Sequence, residues 1–331
     1  MMNGTGDERH GPPAARATSG TGPAGGQDRE ARDWDARVAA LPPAKRALLA
    51  ELTRRRAAAR SGSADPLADA ELLRAGAGDP IVLAHPIGGS LFCYADLCKA
   101  VSSGRPIWGV AAGPALAEPA ELTIEQLARR YVHKLAGIGV PRPAVVAGWS
   151  FGGLLAYEMA RCWRETAQVV PPVVLIDAVP WPSSLPPWEQ ETTLRSFAEY
   201  LLGLAGRRLD LCADPALWGL PVPDALAAVA SAARERGVDL GFSGQELVSR
   251  YWIYANAAHA MSRYRPAPYP GRVTLIRTAE AVKADPWPIR DAALKVLPVP
   301  GDHYGVLRSP VVNVVARALA DAADAHGPAA P

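Results

Sequence analysis

The stretch Gly148-Trp149-Ser150-Phe151-Gly152 follows an apolar run over residues 144–147 and precedes a helix-like run that starts near Gly153. This order predicts a strand, a sharp turn that carries a serine at its apex, and a helix. Glycine suits the two outer positions of such a turn, because a larger side chain there would clash with the nearby backbone. The backbone N–H of Phe151 then lies at a helix start, where it is free to stabilise an oxyanion.

The composition is that of a globular protein of 331 residues, with 49% hydrophobic and 21% charged residues. The net charge of +2 is too small to indicate binding to nucleic acid. No apolar stretch is long enough for a membrane span, and the polar N-terminus has no signal-peptide core. These features predict a cytoplasmic protein without membrane contact. The cysteines lack metal-ligand spacing and are expected to be reduced thiols; they are Cys93, Cys98, Cys162 and Cys212.

From residue 80 onward, apolar strand-like runs alternate with helical runs. This alternation predicts an α/β fold with a mostly parallel central sheet and helices on both faces. The predicted strands cover residues 81–84, 106–110, 144–147, 172–177, 272–277 and 294–299. The predicted helices between them cover residues 91–101, 123–137, 153–164 and 310–323.

One connection is far longer than a simple crossover. More than ninety residues separate Asp177 from Arg272, and helical patterns cover 191–204, 224–236 and 244–263. An insertion at this point would lie over the strand ends where the serine is exposed. We therefore predict a helical lid over about residues 180–265.

Three segments are expected along the chain. Residues 1–30 are Gly/Pro-rich and polar, which predicts a disordered tail. Residues 31–70 contain an amphipathic helical pattern after Pro42 and Pro43, which suits either a helix packed on its own domain or a linker or docking helix. The catalytic domain is then expected over residues 71–325.

A serine hydroxyl needs a base to become a nucleophile near neutral pH. His303 directly follows the last predicted strand, where a loop can reach the serine, so we predict that it is the base. His85 follows the first predicted strand, and its glycine-rich surroundings indicate another role. The remaining histidines lie in tails or within helical runs; they are His10, His133, His259 and His326.

The third member of the site should be an acid that orients the imidazole. Asp177 ends the strand that follows the serine turn, and an aspartate that closes a buried apolar strand has few structural reasons to be there. Asp285 is the rival, in the loop after the 272–277 strand, while Asp302 adjoins His303 and is expected to point away. We predict Asp177.

An oxyanion hole needs a second donor besides Phe151. The loop His85-Pro86-Ile87-Gly88-Gly89 follows the first predicted strand, and its glycines allow close backbone approach. Pro86 has no N–H, so we predict that Ile87 supplies the donor.

These residues resemble the thioesterase domains that end nonribosomal peptide synthetases and polyketide synthases. The matching stretches run in the same order from residue 80 to residue 323; they are 83–89, 148–153, 175–177, 264–275 and 299–304. The resemblance implies an α/β-hydrolase fold with a helical lid, and the triad Ser150, Asp177 and His303. It also implies release of an acyl chain from the phosphopantetheine arm of a carrier protein through an acyl-serine, with no cofactor or metal of the enzyme's own.

The segment before residue 80 lacks a carrier-type serine motif, so we expect a free-standing enzyme that takes its acyl or peptidyl carrier protein in trans. Editing thioesterases, carboxylesterases and a non-catalytic scaffold are the alternatives. Related editing enzymes commonly place His and Met around the serine and the acid later in the chain, which favours an offloading enzyme here.

Other features of the lid and surface leave the substrate open. Tryptophans of the insertion can line an acyl pocket or form the lid's own core. The acyl chain, and the choice between hydrolysis and cyclisation, are not determined by the sequence. Basic side chains are candidates for contact with an acidic carrier; they are Arg54 to Arg56, Arg129, Arg130, Arg263 and Arg265.

Overall fold

A seven-stranded sheet forms the centre of the molecule. The computed structural model describes residues 68–140, 142–181, 188–204, 215–279 and 286–325. The strand order is β1-β3-β2-β4-β5-β6-β7, with every neighbouring pair parallel except β1 and β3. The strands are Ala68–Arg74 (β1), Ile81–Ala84 (β2), Ile107–Ala112 (β3), Val145–Trp149 (β4), Val173–Ile176 (β5), Val273–Thr278 (β6) and Leu294–Val299 (β7).

The central strands are continuous apolar runs, because both faces of the sheet are covered. Every residue of β2, β4 and β5 is buried. One face packs on the helices Ile124–Gly137 (α2) and Phe151–Ala167 (α3), and the other on Ala95–Ala100 (α1) and Val312–Asp324 (α7). The predicted parallel sheet with helices on both faces is therefore confirmed.

The edge strand β1 was not predicted. Among the described residues it pairs with β3 alone, in antiparallel register. Most of its positions are half-buried, so it needs less apolar surface than the central strands. Residues 68–70, which the sequence analysis assigned to the helical segment 31–70, lie in this strand. That assignment is wrong for these three residues, while residues 1–67 lie outside the described part of the chain.

The insertion between β5 and β6 is helical, as predicted. It contains Gln190–Leu204 (α4), Val222–Glu235 (α5) and Gly244–Arg263 (α6). Helix α6 begins with a capping box, in which Ser243 and Glu246 each bond the other's backbone N–H. These helices share a separate hydrophobic core that includes Leu194, Phe197 and Trp218.

Helix ends also agree with sequence signals. Thr123 and Gln126 form a capping box at the start of α2, and every predicted helix in the described residues has a counterpart within a few positions. No helix among the described residues has the length and apolarity needed to cross a membrane. Cys93, Cys98 and Cys162 are free thiols, and Cys212 lies outside the described residues.

Candidate active site

Ser150 occupies a strained turn between β4 and α3. Its φ is 58° and its ψ is −126°, a region that residues other than glycine rarely adopt. A Cβ built at Gly148 would collide with the carbonyl of Gly152, and one at Gly152 would lie 2.8 Å from the carbonyl oxygen of His85. Gly148 is therefore needed for the turn to form, and Gly152 for its packing on the segment after β2, so a larger side chain would clash with nearby backbone at both positions, as predicted. Helix α3 begins at Phe151 rather than near Gly153.

Asp177 and His303 form a direct hydrogen bond. His303 Nδ1 lies 2.7 Å from Asp177 Oδ2, with the aspartate side chain 4% exposed and the histidine side chain 38% exposed. A carboxylate can only accept, so Nδ1 carries the proton and Nε2 is the unprotonated nitrogen of the neutral ring. A ring in this tautomer can accept a proton from a serine hydroxyl.

Thr278 at the end of β6 holds the Asp177 carboxylate. Its backbone N–H and its hydroxyl donate to Asp177 Oδ1 at 2.9 and 3.0 Å. Burial alone would raise the pKa of Asp177, but the hydrogen bonds from His303 and Thr278 outweigh it and hold that pKa below its usual value. The carboxylate therefore stays ionised beside the imidazole.

The Ser150 turn and the His303 loop are joined through Trp149. The indole Nε1 of Trp149 donates to the backbone carbonyl of His303 at 3.0 Å, and the two rings lie 5.0 Å apart between centroids. The backbone N–H of Ser150 donates to Ile176 O at 3.0 Å, next to Asp177. The three predicted triad residues thus lie at neighbouring strand ends of β4 and β5 and in the loop after β7.

The loop after β2 is fixed by His85. The side chain of His85 is buried; Nδ1 lies 2.7 Å from Pro86 O, and Nε2 lies 2.7 Å from the hydroxyl of Tyr131. A carbonyl can only accept, so Nδ1–H donates and Nε2 accepts from Tyr131. Burial lowers the pKa of His85 to about 4, against a smaller raising effect of the Pro86 bond, so the ring is neutral at pH 7.

The two predicted oxyanion donors come from adjacent segments. Gly152 packs directly on the backbone of Ala84 and His85, which places the loop containing Ile87 against the serine turn. Phe151 is the first residue of α3, where backbone N–H groups have no partner within the helix. Ile87 is half-buried and contacts both the domain core and the lid core.

Sequence reasoning missed two residues that organise the site. The hydroxyl of Tyr94 donates to Ala84 O at 2.7 Å and accepts from the backbone N–H of Trp149 at 2.8 Å. It therefore ties the end of β2 to the end of β4 beside Ser150. Thr278 is the other, and its only sequence signal was its position at the end of a predicted strand.

Among the described residues, Asp302 does not take the role of the acid that orients His303. Asp302 is exposed, and its Oδ1 accepts from the backbone N–H of Tyr304 and Gly305 at 3.1 and 2.7 Å. Asp285 lies outside the described residues. In the part of the chain described, no group of three or more His, Cys, Asp and Glu side chains could hold a metal ion.

The lid tryptophans divide between core and half-buried positions. Trp218 is buried in the lid core, whereas Trp181, Trp188 and Trp252 are half-buried. Trp181 packs edge-on against Trp188, with centroids 5.4 Å apart. Trp218 therefore belongs to the lid core, and a role in lining an acyl pocket stays a prediction for the three half-buried tryptophans.

The chain matches multidomain biosynthetic enzymes along one part of their length. It is 28% identical over 276 residues to the nonribosomal peptide synthetase btyA of Aspergillus terreus, which covers 76% of this chain and 29% of that protein. It is 37% identical over 113 residues to a non-reducing polyketide synthase of Cladonia grayi, covering 33% of this chain and 5% of the relative. The chain thus spans less than a third of these relatives.

Solved structures show the same fold. A four-domain nonribosomal peptide synthetase bound to AMP and glycine aligns with a TM-score of 0.66 and 27% identity, over 76% of this chain and 20% of that one. The NocB thioesterase domain, in covalent complex with a fluorophosphonate nocardicin G analogue, aligns with a TM-score of 0.53 and 22% identity, over 77% of this chain and 98% of that one. The expected α/β-hydrolase fold is confirmed.

The thioesterase-domain family model matches residues 79–241, which include Ser150 and Asp177. This range also contains the loop of Ile87 and most of the lid. Residues 79–241 therefore match the thioesterase-domain family, and the relatives to which this chain is similar are nonribosomal peptide synthetases and polyketide synthases.

Proposed function

We propose that this protein is a serine thioesterase that releases an acyl, peptidyl or polyketidyl chain from the phosphopantetheine thioester of a carrier protein. The observation that carries the proposal is the 2.7 Å hydrogen bond between Asp177 and His303 beside the strained turn of Ser150. Nucleophile, base and orienting acid are the three groups that covalent acyl transfer by a serine requires.

In the first half-reaction, Ser150 Oγ attacks the thioester carbonyl carbon while His303 Nε2 takes the hydroxyl proton. Asp177 stabilises the imidazolium through Nδ1–H. As the tetrahedral intermediate collapses, the C–S bond breaks and His303 returns the proton to the leaving sulfur. The products are the acyl-serine ester and the free thiol of the carrier.

The negative charge on the former carbonyl oxygen needs donors that are in place beforehand. The backbone N–H of Phe151, at the start of α3, supplies one, and that of Ile87 supplies the other in this proposal. The packing of Gly152 on the Ala84–His85 backbone supports a site between them.

In the second half-reaction, His303 accepts a proton from the attacking group. If water attacks, the product is a carboxylic acid; if a hydroxyl or amine of the acyl chain attacks, the product is a ring. In both cases the C–O bond to Ser150 breaks and the proton passes to Ser150 Oγ. No cofactor or metal is required by this chemistry.

Two alternatives act through the same residues. An editing thioesterase would clear short, misprimed acyl groups from carriers, and a carboxylesterase would act on free esters. The pairing of Asp177 with His303 favours the offloading type, because the editing relatives are expected to carry their acid later in the chain.

Carrier recognition should contribute to catalysis as well as to binding, because contacts with the carrier can position the thioester. Among the basic candidates, Arg129, Arg130, Arg263 and Arg265 are exposed, while Arg54 to Arg56 lie outside the described residues. These side chains suit an acidic carrier, and the partner is proposed to act in trans.

The test compares the same acyl group on a separately supplied carrier protein and on a small thiol. We expect kcat/KM to be at least about tenfold higher for the carrier, a difference on the order of 1.4 kcal/mol. The preference should shrink as salt rises. Equal, salt-independent rates on both thioesters would contradict carrier recognition, and faster turnover of simple esters would favour the carboxylesterase.

A further inference from the structure

A tyrosine of the lid reaches the loop that carries the proposed oxyanion donor. A Cβ built at Gly88 would collide with the hydroxyl of Tyr200 and lie 2.8 Å from its Cζ atom. Tyr200 belongs to helix α4, 112 residues further along the chain. Its hydroxyl therefore occupies space that is open only because residue 88, which follows Ile87 in the chain, is glycine.

Helix α4 also contacts the loop of the proposed base. A Cβ built at Gly203, one turn after Tyr200, would lie 3.5 Å from the Cζ atom of Tyr304, which follows His303. The same helix thus extends from the oxyanion loop to the histidine loop.

The ring of Tyr200 is fixed by neighbouring rings, whereas its hydroxyl is not fixed by a hydrogen bond to the described residues. The ring lies 5.3 Å from that of Tyr254 and 6.3 Å from that of Phe197, between centroids. The Tyr254 hydroxyl pairs with Ser196 Oγ at 2.7 Å. By contrast, Tyr200 is a half-buried residue whose hydroxyl has no hydrogen-bond partner within the described residues.

The phenol is a donor under all working conditions. Burial raises the pKa of Tyr200 to about 12, with further raising effects from Cys93 and Tyr304 and a lowering effect from Arg250. A protonated phenol that a bound acyl chain shields from water gains from an acceptor in that chain, because a donor covered without a partner loses its bonds to water without replacement.

We propose that Tyr200 is a substrate-contacting residue, whose hydroxyl donates a hydrogen bond to an oxygen that the acyl chain carries a few atoms beyond the thioester carbonyl carbon. This inference rests on the proposed function. Its structural basis is the contact of the Tyr200 hydroxyl with Gly88, next to the donor that would hold the carbonyl oxygen. Groups attached close to the carbonyl carbon are the acyl atoms within reach of that position.

The Tyr200 hydroxyl would select acyl chains that carry an acceptor close to the thioester. Peptidyl chains carry an amide on the carbon next to the thioester carbonyl, and the oxygen of that amide is an acceptor. Partly reduced polyketidyl chains carry a hydroxyl or carbonyl oxygen one carbon further. Either supplies an acceptor for Tyr200, whereas a plain hydrocarbon chain leaves the hydroxyl unpaired. A site with a hydrogen-bonding group rejects analogues that lack its partner.

The experiment measures kcat/KM on carrier-bound acyl groups in two shape-matched pairs. One pair is N-acetylalanyl and 2,4-dimethylpentanoyl, and the other is 3-hydroxyoctanoyl and octanoyl. The enzymes are wild type, Tyr200→Phe and Tyr251→Phe. Tyr251 is a matched control, because its ring packs on Phe197 in the same lid core and is not placed at Gly88. Thermal unfolding checks that the variants remain folded.

We expect wild type and Tyr251→Phe to prefer the acceptor-bearing member of at least one pair by about fivefold or more, as one hydrogen bond allows. Tyr200→Phe should lose that preference through a slower reaction of the polar substrate alone. If Tyr200→Phe retains the preference, or if wild type shows none, the proposed role of Tyr200 is wrong. Turnover of a carrier substrate would still support the proposed thioesterase activity in that case. No turnover of any carrier substrate would overturn both.

Discussion

The indole Nε1 of Trp149 donates a 3.0 Å hydrogen bond to the backbone carbonyl of His303. Trp149 precedes the proposed nucleophile, and His303 is the proposed base. One side chain therefore links the two loops whose relative position sets the geometry of nucleophile and base. The two residues are 154 positions apart in sequence, and their rings also lie in contact. Position 149 therefore has a structural role in addition to its place in the turn.

Replacing Trp149 by Phe keeps an aromatic ring and removes this hydrogen bond. We expect kcat to fall by roughly tenfold with little change in KM, because loss of geometry at the base acts on the transition state. Steady-state kinetics on one acyl-carrier substrate provides the measurement. Trp163→Phe is the control, since Trp163 is buried away from the site and its indole nitrogen has no partner in the described residues. Similar kinetics for both variants would refute the link.

Asp177→Asn tests the orienting acid. An amide at this position can donate to Nδ1 and favours the wrong imidazole tautomer, so kcat should fall on the order of 10⁴-fold. Asp285→Asn, in the later loop, should change kcat little. The opposite pattern would move the acid to residue 285 and favour an editing enzyme.

Thr278→Val tests the support of that acid. The variant removes the hydroxyl that donates to both carboxylate oxygens but keeps the backbone N–H bond. Because these bonds lower the pKa of Asp177, the variant should raise it, and the carboxylate should protonate sooner as pH falls. We expect kcat to decline at a higher pH on the acidic side than in wild type, with Thr278→Ser restoring the profile. Superimposable profiles for all three proteins would count against this role.

His85 makes a prediction for stability. The pKa of His85 is about 4 in the folded protein and near 6.5 when unfolded, so the unfolded state binds the proton more readily between these values. The contribution of the neutral His85 ring to the free energy of unfolding is complete above pH 6.5. It is lost as pH falls toward 4, by about 1.4 kcal/mol per pH unit. Urea unfolding at several pH values measures this slope. His85→Gln should show a shallower slope, and equal slopes would contradict the assignment.

The serine turn could be predicted because its determinants are local. Gly148, Ser150 and Gly152 lie within five residues between an apolar strand and a helix. Gly148 is required by a contact inside the same turn, whereas Gly152 is required by the backbone of Ala84 and His85. The parallel sheet followed from the spacing of fully buried apolar runs. The residues predicted at the strand ends, Asp177 and His303, were brought together as expected.

The parts that escaped prediction depend on contacts between distant segments. Tyr94 bonds Trp149 across 55 positions, and Thr278 bonds Asp177 across 101. Tyrosine and threonine at such places have no distinctive sequence pattern. The strand β1 was missed for a related reason: it lies at the sheet edge, where polar residues are tolerated, so its sequence lacks the apolar run of the central strands.

The central claim is that Ser150 forms a covalent acyl-enzyme from a carrier thioester. The direct measurement is intact-protein mass spectrometry after rapid mixing with an acyl-carrier protein, followed by peptide mapping. We predict a mass increase equal to one acyl group, located on Ser150, and its absence in Ser150→Ala, with turnover lower by several orders of magnitude. Turnover without an acyl adduct in wild type under rapid quench, or an adduct that persists in Ser150→Ala, would contradict the account.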